Sequence, residues 1–143
     1  MTRINIIEPS HLTDKHLVAE YKEITRPFNK MITRIAKYGE AKALDNTIIS
    51  PVYILGTGHE SFFFDKLKWL MDRYQELFYE MNRREFNVNK DKFFSIYNDL
   101  CDKLEGTAYW NWYYPSQDEM YLNMARLCKR SNLDDVLSEL DDA

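Results

Sequence analysis

Residues 13–35 read TDKHLVAEYKEITRPFNKMITRI. Leu17, Tyr21, Ile24, Phe28, Met31 and Ile35 recur in alternating steps of four and three. That spacing draws one apolar stripe down an α-helix of 3.6 residues per turn. Thr13 is the expected N-cap, and Asp14 places a negative charge in the first turn, where the helix dipole favours it. His16, Glu20, Glu23 and Lys30 fall along one flank of the stripe, and Arg26 lies farther round, opposite the apolar face. Pro27 sits inside the pattern and should kink the helix or split it in two. Tyr38-Gly39 is the expected stop.

Upstream, residues 1–12 form a short basic arm, MTRIN, and a loop; Ile4, Ile6 and Ile7 can anchor it, and Pro9 forbids an early helix start. Downstream, residues 40–58 are a connection with a short extended piece, SPVYILGTGH. His59 follows as a loop or N-cap residue that orients the next helix, expected over residues 61–83. There Phe63, Leu67, Leu70, Tyr74, Leu77 and Met81 repeat the four-three spacing, with Asp65, Lys68, Asp72, Arg73, Glu76 and Glu80 expected outside. Phe93, Tyr97, Leu100 and Leu104 mark a further helix that Gly106 ends. The aromatic run TAYWNWYYPS then precedes Ser116 and Glu119, which have capping-box spacing and open a helix carrying Met120, Met124 and Leu127. Asn132 is placed to cap a short acidic helix with Leu133, Val136, Leu137 and Leu140. The sum is an all-α fold, two long helices and two or three shorter ones with the arm packed between them, in one domain spanning residues 1–143.

Composition narrows the function. Four Gly and four Pro in 143 residues argue against a many-turned β fold. Cys101 and Cys128 make no disulfide framework, and no Cys/His cluster suggests zinc. No apolar run is long enough to span a bilayer and nothing resembles a signal peptide, so a soluble, cytoplasmic, unsecreted protein is expected. The net charge of −4 speaks against a general nucleic-acid coat. It is unevenly spread, however: residues 1–42 carry +3, residues 43–84 carry −1 and residues 85–143 carry −6. The basic third can face a polyanion. Trp110, Trp112 and Tyr113 could stack on exposed bases, although packing over the core is the commoner use of such a run.

Taken together, MTRIN, HLTDKHLVAEYKEITRPF, YILGTGHESFFFDKLKWL and ELFYEMNRREFN resemble the phage and bacterial pyrimidine-dimer DNA glycosylases, the ultraviolet endonuclease V type. The likeness runs in register through roughly the first 87 residues, with a weaker patch around Pro115 to Arg130. It implies a monomeric helical enzyme of a bacterial or phage-infected cell acting on ultraviolet-damaged double-stranded DNA. Such an enzyme breaks the N-glycosidic bond of a cyclobutane dimer's 5′ pyrimidine and then cleaves the backbone by β-elimination, without metal or cofactor. The family's nucleophile, the α-amine freed by loss of Met1, falls on Thr2, and its catalytic carboxylate on Glu23. Its DNA-contacting cations fall on Arg3, Lys22, Arg26, Arg126 and Arg130. His16 and Glu20 match supporting positions. Where the family commonly ends in a basic aromatic tail, this chain has SNLDDVLSELDDA. That departure keeps a second reading open: a catalytically reduced relative acting as a DNA- or protein-binding module.

Overall fold

Pro27 divides the first helical pattern in two. Helix α1 covers Asp14–Glu23 and α2 covers Thr25–Tyr38, with Ile24 between them. The Ile24 N–H still closes the last turn of α1 onto the Glu20 carbonyl at 2.9 Å. Pro27 has no N–H to offer the Glu23 carbonyl, so the ladder breaks there. Thr13 caps α1, its hydroxyl oxygen accepting from the His16 N–H at 3.3 Å. Gly39, at φ 81°, ends α2 as expected.

The structure is a computed structural model that describes residues 2–44 and 49–130, the side chains of residues 129 and 130 excepted. Among the described residues the fold is all-α: α3 spans Leu67–Arg83, α4 Lys90–Leu104 and α5 Gln117–Arg130, with 3-10 turns at Pro9–His11, Glu40–Lys42 and Ser61–Phe63 and no strand. The SPVYILGTGH stretch is irregular. The terminal helix expected around Asn132 lies outside the described residues.

Helix α3 begins six residues later than the apolar spacing suggests, because its start is set from far along the chain. The N–H groups of Leu67 and Trp69 donate to the carbonyls of Tyr109 (3.1 Å) and Asn111 (3.3 Å), which satisfy two of the orphan donors of the first turn. The aromatic run therefore serves partly as a cap. Within it Tyr109 and Tyr113 are buried, the latter edge-on to Phe62 and Trp69, while Trp112 and Tyr114 remain exposed. Ser116 and Glu119 form the capping box: the Ser116 N–H donates to Glu119 Oε1 at 2.9 Å and the Glu119 N–H to Ser116 Oγ at 3.1 Å.

The core joins Leu17, Ile24, Phe28 and Met31 of the first pair to Leu67, Leu70, Tyr74 and Leu77 of α3, with Leu104 of α4 also in the core and Phe93 of α4 stacked on Phe78. Arg73 and Glu80 depart from expectation: both are buried rather than outside. Glu80 pairs with Arg83 and, at 2.7 Å, with Arg84. The Arg84 guanidinium also reaches Asp14 (3.0 Å) and the carbonyls of Pro9, Ser10 and Leu12, clamping the loop that enters α1. The guanidinium of Arg83 holds the Glu80 carboxyl down at about 2, with Arg84 adding to the effect against the opposing cost of burial.

Past the end of α3, Glu85 adopts φ 63°, and the Phe86 N–H reaches back to the Met81 carbonyl at 3.0 Å. This is the left-handed cap conformation that glycine takes without a Cβ penalty. Glu85→Gly should therefore stabilise the protein by about 1 kcal/mol, raising the thermal midpoint by about 2–4 °C for a chain of this size. A calorimetric scan that finds the variant less stable would contradict the assigned cap.

Candidate active site

The arm enters the protein without regular secondary structure, and Thr2, Ile4, Asn5, Ile6 and Ile7 are all buried. A buried segment outside any helix or sheet must find partners for its backbone elsewhere. Here side chains supply them. The Ile4 N–H donates to His59 Nε2 at 2.8 Å, and the Ile6 N–H to Asn123 Oδ1 at 2.6 Å. The Ile4 carbonyl accepts from the Tyr53 hydroxyl (3.3 Å) and from Arg126 Nη2 (3.2 Å), and the Ile7 carbonyl accepts from Arg73 Nη1.

Beneath the arm, Glu20 is 1% exposed and Arg73 3%. Arg73 grips both Glu20 oxygens, Nε to Oε2 at 2.8 Å and Nη2 to Oε1 at 3.0 Å, in a fork-to-fork pair. Asn5 donates to the same Oε1 at 2.7 Å, and Asn123 donates to Asn5 Oδ1 at 2.8 Å. Glu20 is therefore fully engaged in holding the arm. Glu23, one turn farther along the same flank, is not. Its Oε1 is buried yet has no hydrogen-bond partner, and the same is true of Arg3 Nε. A buried polar atom left unpaired costs about 1–3 kcal/mol, so each calls for an explanation, a ligand or a bound water among them.

The break after Glu23 sets the rest. Glu23 closes α1 while Arg26 stands in the first turn of α2, and Arg26 Nη1 donates to Thr2 Oγ1 at 3.5 Å. One groove of about 740 Å³ is lined by Arg3, Lys15, Lys22, Glu23, Arg26 and Phe86, and by Asp14, whose carboxylate is paired with Arg84. A second, of about 930 Å³, contains Thr2 and again Arg26, which forms the ridge between the two. A small enclosed cavity of about 20 Å³ gathers Arg3, Asn5, His16, Glu20, Glu23 and Arg126. Cations thus surround a partly buried carboxylate on an open face. Among the described residues no cluster of three or more His, Cys, Asp or Glu is arranged to hold a metal.

Of the expected site residues, Arg3, Lys22, Glu23 and Arg26 share a groove, and Thr2 joins them through Arg26. His16 and Glu20 sit at the enclosed cavity. Arg126 differs from its expected place at a DNA phosphate: it is 6% exposed, and its guanidinium holds the Ile4 carbonyl, Asn5 Oδ1 and His59 Nε2. The side chain of Arg130 lies outside the described residues. Asn5, His59, Arg73 and Asn123 were not singled out from the sequence as site residues, yet they fix the arm.

His59 donates from Nδ1 to the Ile54 carbonyl at 2.8 Å and accepts at Nε2, which defines the neutral Nδ1–H tautomer. Burial, and then the Arg126 charge, pull its pKa down from 6.5 to about 4. Between those values the unfolded chain binds the proton that the folded one refuses. The His59 contribution to stability is thus level above pH 6.5 and falls as the pH drops toward 4, by roughly 3 kcal/mol at most. In denaturant titrations from pH 7.5 to 4, wild-type stability should fall by this step relative to His59→Gln, in which the other titrating groups are unchanged.

Residues 1–94 match the family model for pyrimidine dimer DNA glycosylase. The match covers about two thirds of the chain, from the arm through α3 into α4, and includes Thr2, Glu20, Glu23, Arg26, His59 and Arg73. It ends before α5, whose Asn123 and Arg126 complete the arm's support. A cation-lined groove around Glu23, with the arm locked beside it, is a surface suited to a polyanionic substrate, and the chain belongs to the pyrimidine dimer DNA glycosylase family.

Proposed function

We propose that the protein excises cyclobutane pyrimidine dimers from ultraviolet-damaged duplex DNA and then cleaves the strand as an AP lyase. The nucleophile is the α-amine of Thr2 once Met1 has been removed; with Met1 attached that nitrogen is an amide and cannot react. The observation that carries this reading is the contrast between Glu20, held on both oxygens, and Glu23, buried at Oε1 without a partner.

An α-amine has an ordinary pKa of about 7.7–8.0, so a useful fraction is neutral near pH 7. Its lone pair attacks the sugar C1′ while the N-glycosidic electrons leave with the 5′ pyrimidine. The resulting ammonium loses a proton, its lone pair expels O4′, which takes up a proton as the ring opens, and a cationic Schiff base forms between C1′ and the Thr2 nitrogen. Glu23 stabilises that cation and takes the C2′ proton; the resulting electron pair expels the 3′ phosphate oxygen. Water hydrolyses the remaining imine and regenerates the amine. Arg3, Lys22 and Arg26 hold phosphates around the lesion, and the duplex must distort to expose C1′. Arg126, Glu20 and His16 act through the arm and the cavity beneath it, as positioning residues.

Borohydride added to processed protein on dimer-containing duplex should yield a covalent adduct on the Thr2 nitrogen, located by mass spectrometry. Duplex binding with no adduct would instead assign a catalytically reduced DNA-binding relative. Glu23→Gln gives up no existing bond at Oε1, so the variant should stay within about 1 kcal/mol of wild-type stability. It should keep its duplex affinity while strand cleavage falls about 10²- to 10⁴-fold. Undiminished cleavage would remove Glu23 from the chemistry.

A further inference from the structure

Helix α2 carries Arg26, Lys30, Arg34 and Lys37 and no carboxylate, a charge of +4 in a chain whose total is −4. Steps of four, four and three place the four on one side of the helix. That side lines the 930 Å³ groove that begins at Thr2. Across from the cations the groove is bounded partly by Gly56 and Gly58, at φ 75° and 92°. A Cβ at Gly58 would come within 3.0 Å of the Ile54 side chain. This wall is backbone, without bulk.

The present partners of the cations are exchangeable. Arg34 lies over the Phe64 ring at 5.9 Å and Lys37 over Tyr38 at 5.2 Å. Among the described residues the one carboxylate paired with any of the four is Glu60, which bridges to Lys30. Lys30 is 57% exposed and Glu60 17%, so an oxygen from solution has access to the lysine. From Arg26 to Lys37 the helix rises about 16 Å. One strand of B-form duplex presents a phosphate about every 3.4 Å of axis, enough for each cation to find one.

We propose that this groove is a phosphate track that takes the duplex backbone flanking the lesion, contacted by Lys30, Arg34 and Lys37. Glu60 stands in for a phosphate on Lys30 until DNA displaces it. The proposal rests on the DNA-repair reading above and extends it from the reacting sugar to the flank. An ordinary solvated cationic face makes a different prediction, because its charges would not be neutralised by particular phosphates.

The test is fluorescence anisotropy of the full chain on an undamaged duplex across a series of NaCl concentrations. Each phosphate contact contributes about 0.9 to the slope of log K against log salt. The triple variant Lys30→Gln, Arg34→Gln, Lys37→Gln should lower that slope by about 2–3. Lys90→Gln, Lys92→Gln, Lys103→Gln on α4 makes the same charge change and should leave the slope within about half a contact of wild type. Glu60→Gln should tighten undamaged-duplex binding by about two- to fivefold, the measured worth of an exposed ion pair. Equal slopes for the two triple variants, or a Glu60→Gln protein that binds no tighter, overturns the track. Wild-type borohydride trapping separates this from the reaction itself. An adduct with equal slopes removes the track alone; a reduced slope with no adduct removes the proposed reaction and keeps the track.

Discussion

Six residues without regular structure, Thr2 to Ile7, run through this protein with no sheet among the described residues to pair with, and the rest of the structure answers that constraint. Four regions send side chains to the arm: Tyr53 and His59 from the irregular connection, Glu20 from α1, Arg73 from α3, Asn123 and Arg126 from α5. The Glu20–Arg73 pair is the keystone, because both charges are removed from water and each completes the other's bonding. Removing one member of such a pair typically costs about 3–5 kcal/mol, since the survivor is left buried and uncompensated. A polar network of this kind tolerates few alternatives, and it aims the start of the chain at one place.

The division of labour between two neighbouring glutamates follows from the same constraint. Glu20 and Glu23 sit three residues apart on one helix, yet one lies against Arg73 and the other faces the cationic groove. The helix break supplies the difference in setting. Pro27 ends α1 at Glu23 and brings Arg26 into a new first turn beside the arm. A continuous helix would carry Arg26 around to the far side, as helical periodicity alone implies.

Much of this is legible in the sequence. The four-three spacing of Leu17 to Ile35 and of Phe63 to Met81 locates the core faces, and Ser116 with Glu119 fixes the start of α5. Charge alone points Arg73 and Glu80 outward, but their position points the other way. Arg73 falls three residues after Leu70 and four before Leu77, within the buried stripe; Glu20 falls likewise between Leu17 and Ile24, and Asn123 between Met120 and Leu127. A charged residue in an apolar register demands a counter-charge, and here two such residues satisfy each other. The late start of α3 had no local signal, because its cap comes from Tyr109 and Asn111. The arm's partners were likewise unreadable one segment at a time.

The burial of Thr2, at 5% exposure, bears on chronology. A peptidase needs several residues of slack chain to draw an amino terminus into its cleft, and a seated arm offers none. If the Thr2 amine does the work, Met1 has to be removed before the arm is seated. Maturation and tertiary assembly would then compete in time. A molecule that closed too soon would keep its leading methionine and be correctly folded but chemically silent.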